Sequence, residues 1–188
     1  MGCVKNTVRS SAGPELASRP KGILDQDHRQ LEHRLEVVAL VLECLPPSGV
    51  LTPSLSYALS EALDYFAQEA SWHTRDEEQS LFSRLRAAGD RRLATALGHV
   101  AVLEQEHVAI LNQHELLDAA VRVGLRAGKF TLRQKSTAQR LLGKLQEVYR
   151  PHIALEDREV FPQAAAILGP KQMKMIDREI TRRRETTT

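Results

Sequence analysis

The sequence predicts an all-α protein: an up-down-up-down four-helix bundle with a short C-terminal fifth helix and a loose N-terminal arm. Three observations predict it. Aromatic residues make up only 4% of the 188 residues, and Leu and Ala dominate the apolar set, a balance that favours helix over sheet. Four long stretches carry apolar residues at steps of three and four, the spacing of one face of a helix. The connections between them are short and built from Pro, Gly, Ser and Thr.

Residues 1–20 are rich in Ser, Gly, Pro and small polar residues and read as the arm. The first stripe is Leu24, His28, Leu31, Leu35, Val38, Leu42 and Leu45, and Pro46-Pro47-Ser48-Gly49 ends it. Thr52 followed by Pro53 is an N-cap with proline at the first helical position. The second stripe then runs Leu55, Leu59, Leu63, Phe66, Ala70, His73, Glu77, Leu81, Leu85 and Ala88, and closes at Gly89. A third opens near Asp90 with Leu93, Leu97, Val100, Leu103, His107, Ile110, His114, Leu117 and Val121, and ends at Gly128. Thr131 can cap the fourth, which carries Leu141, Leu145, Val148, His152, Leu155 and Val160, with Pro162 near its end. After Gly169-Pro170 a short segment bears Met173, Ile176 and Ile180 on one side, a cap for the bundle or a contact between two copies in a homodimer. The boundaries are therefore 1–20 for the arm, 21–168 for the bundle and 169–188 for the last helix with its basic tail.

Composition narrows the function classes. With 42% hydrophobic and 27% charged residues, the chain can bury a core and stay soluble. The net charge is +2 and the charges alternate in sign, with one basic cluster at Arg182-Arg183-Arg184. A nucleic-acid partner would call for a broader basic footprint, and no apolar run approaches the ~20 residues that span a bilayer. Neither nucleic acid nor membrane is expected as a partner. Cys3 and Cys44 make no disulfide framework, and no apolar signal-peptide stretch follows Met1. Met1-Gly2-Cys3 opens like a myristoylation signal, but Asn6 stands where that signal carries Ser or Thr. A reduced cytoplasm is the expected setting.

Each of the four stripes is interrupted by a histidine, and two also by a glutamate. Burying such groups without partners costs several kcal/mol each, so they need one another or a metal. The pattern repeats in register. Asp27-His28-x2-Leu31 recurs 79 residues on as Glu106-His107-x2-Ile110, and His73-x3-Glu77-Glu78 recurs at the same offset as His152-x3-Glu156-Asp157. Two helical hairpins related by a pseudo-two-fold axis would produce this, each giving one lone His and one His-x3-Glu pair. Residues i and i+4 share a helix face, so each pair can grip a common centre. Four imidazoles and two bridging carboxylates at a bundle axis suit a pair of iron or manganese ions, and two His per ion leave positions open to a small ligand.

The most specific pieces are His73-Thr-Arg-Asp-Glu77-Glu78 with Leu81-Phe82, and His152-Ile-Ala-Leu-Glu156 with Val160-Phe161-Pro162. In these the chain resembles the hemerythrin-like family, the HHE cation-binding domain, over roughly residues 22–165. The resemblance implies a non-haem di-iron centre of two iron ions, with manganese or zinc as substitutes, held by His28, His73, Glu77, His107, His152 and Glu156. It implies dioxygen, nitric oxide or peroxide as the small ligand. Iron–sulfur cluster repair is another role the family suggests, and an iron store or a regulatory interaction module without turnover is the alternative reading of the same centre. Oxygen-carrying members place a further His four residues after the third-helix His, where this chain has Leu111. No acid–base pair or nucleophile stands outside the ligand set, so turnover would be redox work of the metals. A ferritin-like oxidase would need Glu-x2-His on two helices, and only Glu104-x2-His107 is present.

Single residues around this set carry simpler expectations. Glu32, His33 and His99 are read as surface groups, and His114 as a structural residue. Asp27, Glu78, Glu106 and Asp157 are read as flanking, solvated charges. Tyr149 is expected in aromatic packing, and Trp72 with Phe66 in a dry wall around the centre.

Overall fold

The computed structural model describes residues 22–187; the arm expected at 1–20, with Cys3 and the Met1-Gly2-Cys3 motif, lies outside them. The described chain forms four long helices and a C-terminal helical segment. Helix α1 is Ile23–Cys44, and α2 spans 53–88. Helix α3 is Ala94–Ala127, α4 spans 132–168, and α5 spans 170–187.

The termini follow local chemistry. The Thr52 hydroxyl accepts from the Leu55 N–H at 3.3 Å, with Pro53 at the first position of α2. Thr131 and Gln134 form a capping box at the start of α4: each side chain accepts from the other residue's backbone N–H. Gly89 (φ +60°) and Gly128 (φ +65°) end α2 and α3 in the left-handed conformation. Asp90 caps a single 3₁₀ turn, Arg91–Leu93, so α3 proper starts slightly later than its stripe suggests. Pro162, expected near the end of α4, lies inside helical backbone, and Pro151 is carried without interruption. The break comes at Gly169, whose φ of +72° and ψ of +169° are not helical.

Three π turns were not legible in the stripes. Helix α2 contains π turns at Phe66–Ala70 and Glu77–Phe82, and α4 contains one at Glu156–Val160. Two of the three begin at the repeated glutamates, 79 residues apart. A π turn bonds i to i+5 and so re-aims the side chains that follow it, a device frequent at functional sites.

One end of the bundle is closed by two loops. Leu51 N–H donates to the Gly128 carbonyl at 2.9 Å and Phe130 N–H to the Gly49 carbonyl at 2.8 Å, beside an antiparallel bridge between Val50 and Lys129. Gly49 has φ +71°, and a Cβ there would lie 1.9 Å from the Phe130 carbonyl oxygen. The Phe130 ring in turn sits over Gly124, where a Cβ would meet it at 2.4 Å. Both positions require glycine.

Helix α1 packs on α2 and α4, and α3 on α4 and α2. The apolar interior falls into two clusters. One gathers Leu31, Phe66, Ala70, Ile110, Leu145, Tyr149 and Ile153 with the loop end; the other gathers Leu24, Leu81, Phe82, Leu103 and Val160. Each long helix passes from one cluster to the other through its stripe histidine: His28 between Leu24 and Leu31, His73 and Glu77 between Ala70 and Leu81. The same holds for His107 between Leu103 and Ile110, and for His152 and Glu156 between Tyr149 and Val160. The six polar residues thus form one layer between the two apolar clusters. Segment α5 buries Ile176 and Ile180 in the second cluster, turning onto the bundle the face read as a cap or a contact between copies. Among the described residues no helix is long and apolar enough to cross a membrane.

Candidate metal centre

All six residues singled out by the repeat are buried in that layer, none more than 5% exposed. His28 Nε2 lies 3.2 Å from Glu156 Oε2 and 3.7 Å from Glu77 Oε1, and His73 Nε2 lies 3.3 Å from Glu77 Oε1. On the other side His107 Nε2 is 3.3 Å from Glu77 Oε2, and His152 Nε2 is 3.4 Å from Glu156 Oε1. Each carboxylate therefore turns one oxygen to each pair of imidazoles. Two groups result, His28–His73–Glu77–Glu156 and Glu77–His107–His152–Glu156, each with donor atoms within 4.8 Å of one another, and each could hold a metal ion.

These contacts lie off hydrogen-bond geometry. His28 Nε2, His107 Nε2 and all four oxygens of Glu77 and Glu156 are buried without a hydrogen-bond partner among the described residues. Leaving even one such atom unpaired in a core costs ~1–3 kcal/mol. Six of them facing one another mark a place where something other than a hydrogen bond is meant to satisfy them.

The outward ring nitrogens are satisfied, by the residues read from sequence as solvated flank charges. His73 Nδ1 donates to Asp27 at 3.3 Å and His152 Nδ1 to Glu106 at 2.9 Å. His107 Nδ1 donates to Glu78 and His28 Nδ1 to Asp157, both at 2.9 Å. In the neutral ring, a proton held on Nδ1 leaves the Nε2 lone pair turned to the centre. The repeat held the signal for this, since Asp27 and Glu106, and likewise Glu78 and Asp157, are themselves 79 residues apart. Asp27 and Glu106 serve their own hairpin. Glu78 and Asp157, next after the bridging glutamates at the π turns, reach across to the other one.

The electrostatics follow from burial and pairing. Burial opposes charge on Glu77, yet His73, His107 and His28 hold its carboxyl well below the ordinary range. Burial and the charge of Glu77 push Glu156 up. Burial also works against a proton on His28, but Asp157, Glu156 and Glu77 raise it well above an ordinary imidazole. Against the same penalty His107 rises to about 9 beside Glu77 and Glu78. Two buried carboxylates draw positive charge into this layer.

Aromatic rings close it, and not quite the expected ones. Phe161 stacks on His28 at 5.4 Å and Phe82 on His107 at 6.3 Å, another pair at the 79-residue offset. Phe66 lies against His114 at 4.7 Å, whereas Trp72 is half-buried beside Arg75, Asp76, Arg183 and Arg184. Tyr149 is buried; its hydroxyl pairs with His114 Nε2 at 2.8 Å and its ring stands edge-on to His152. His114 belongs to neither four-residue group, and burial lowers it to about 4, so it is neutral.

Two of the three tail arginines are spent within the fold, while Arg182 is exposed. Arg184 grips Asp27 at 2.6 Å and Asp76 at 2.8 Å, and Arg183 also binds Asp76. The same Asp27 holds His73, so α5 is tied to the polar layer through a single carboxylate. Other sequence expectations fall on the surface: Glu32 pairs with Arg29, His33 is exposed, and Glu104 pairs with Arg86 at 2.5 Å outside both groups. A ferritin-like centre would need Glu104 inside. His99 is half-buried, not a surface group.

Comparison with protein families gives a match to the Hemerythrin HHE cation binding domain over residues 20–164. Comparisons with curated proteins and with solved structures found no match. The family match covers most of the chain and spans every residue of the polar layer, and the chain belongs to the hemerythrin HHE cation-binding family.

Proposed function

We propose that the chain holds a carboxylate-bridged pair of iron ions within an up-down-up-down bundle and uses it to bind or sense a small ligand, dioxygen, nitric oxide or peroxide, in the cytoplasm. His28 and His73 would hold one ion and His107 and His152 the other, with Glu77 and Glu156 across both. The observation that carries this reading is the set of unpartnered, buried Nε2 and carboxylate oxygen atoms facing one another in two groups. Imidazole with bridging carboxylate suits iron or manganese, and the family binds metal cations, typically iron. Bound iron would supply redox chemistry and open positions for the ligand.

The protein's own part is to prepare and protect the donors. The four outer carboxylates fix the tautomer and aim of each imidazole, and Phe82 and Phe161 cover the rings on which they stack. Metal analysis of protein purified without chelator from iron-replete cells should give about two irons per chain. Protein that stays folded yet takes up no ferrous ion on anaerobic reconstitution overturns the reading. The outer carboxylates predict a graded effect. Asp27→Asn, which weakens the hold on His73, should lower metal affinity about 10–100-fold without unfolding the chain, as chelator competition can measure.

A further inference from the structure

The two halves of the polar layer match in sequence and differ in their surroundings. Around His28 and His73 the outer carboxylates are held: Asp27 by Arg184, and Asp157 by Arg29 at 2.9 Å, with side chains 15% and 18% exposed. Around His107 and His152 the corresponding Glu78 and Glu106 side chains are 39% and 34% exposed. A cavity of about 140 Å³ lies on that side, bordered by His107, Glu78, Leu111, His114 and Tyr149. At ~30 Å³ per water this is room for a few small molecules. Leu111 and Val108 at its border are 52% and 63% exposed, so it reaches the surface. Leu111, one turn after His107, carries no donor atom that could close this approach.

The inner wall is polar in one specific way. His114 is 7% exposed, its Nε2 is taken by the Tyr149 hydroxyl at 2.8 Å, and its Nδ1 is buried without a partner among the described residues. A phenol is a stronger acid than a neutral imidazole N–H, so the hydroxyl donates to Nε2 and the ring proton sits on Nδ1. His114, whose ring borders the cavity, thus carries a buried donor without a partner among the described residues.

We propose that the small ligand reaches the centre through this cavity, on the His107–His152 half, and that His114 favours small ligands that carry a hydrogen-bond acceptor. This rests on the metal-pair reading above. It makes the pseudo-symmetric centre functionally one-sided: the clamped half is structural and the half beside Leu111 is the one that meets the ligand.

Azide is a suitable probe, being three atoms long with acceptors at both ends. Its association with the iron-loaded full chain can be followed by absorbance in stopped flow, with iron per chain measured on each preparation. Leu111→Trp and Val108→Trp narrow the mouth at exposed positions and should slow association more than about tenfold. Leu40→Trp, equally exposed on α1 and away from the cavity, should leave the rate unchanged. His114→Phe should weaken azide about fivefold, the loss of one hydrogen bond, with iron content retained. If the wild type holds no iron, the metal-pair reading falls and this inference with it. If iron is full and both mouth variants bind azide as fast as the wild type, the metal-pair reading stands and the cavity is not the route.

Discussion

Glu77→Ala should lose both metal ions, not one. Each Glu77 oxygen faces a different pair of imidazoles, Oε1 toward His28 and His73 and Oε2 toward His107. Removing the side chain therefore takes a donor from both groups and leaves Glu156 as the only bridge. His73→Ala by contrast removes a donor from one group only, so that variant should keep metal on the His107–His152 side. The double variant His73→Ala/Glu77→Ala should hold less than about a tenth of the wild-type iron, a loss of more than ~1.4 kcal/mol per site. Metal analysis beside far-ultraviolet circular dichroism separates an emptied layer from an unfolded one. A folded double variant that keeps its full metal complement would remove Glu77 and His73 from the ligand set and sink the assignment.

His114 should make the protein lose stability in mild acid, before the carboxylates that are held below their ordinary range protonate. Burial alone lowers it from 6.5 to about 4, with Phe66 and Tyr149 packed on it. The sign follows from proton counting: between those two values the unfolded chain binds a proton that the folded chain refuses. Stability from neutral His114 is thus fully present above pH 6.5 and drains away as pH falls to about 4. The integrated effect is on the order of 3 kcal/mol. The carboxylates Asp27, Asp157 and Glu179 are all held below their ordinary values, so their contributions vanish only at lower pH. His114→Gln keeps a partner for the Tyr149 hydroxyl and cannot titrate. Urea unfolding of metal-free wild type and variant from pH 4 to 7 isolates the term, because proton uptake elsewhere cancels in the difference. A difference that stays constant across that range would mean His114 titrates normally, and that its surroundings are wetter than the structure shows.

Much of the fold was legible because it is local. The Thr52-Pro53 start, the Thr131 cap and the glycine stops at Gly89 and Gly128 are set by hydrogen bonds within a few residues, and all stand as read. The π turns were not legible. A single inserted residue in a long stripe leaves the apolar spacing within the scatter of an ordinary helix, and what stabilises the wider turn is packing by other helices.

The candidate ligands divide in the same manner. His28, His73, Glu77, His107, His152 and Glu156 could be named from the chain alone, because a helix fixes i and i+4 on one face and the 79-residue repeat made coincidence implausible. By itself the sequence therefore determined the all-helical architecture, the polar layer and its twofold character. Only the tertiary structure decided what the neighbouring charges do. Asp27 meets His73, and Glu78 meets His107, across gaps between helices, and an exposed and a half-buried carboxylate look identical in a helical pattern. The same holds for Arg184, which closes on Asp27 from the far end of the chain, and for the cavity beside His107. Spacing along a helix is covalent geometry and can be read from letters. Which helix lies opposite, and how closely, is settled by the packing of the whole core.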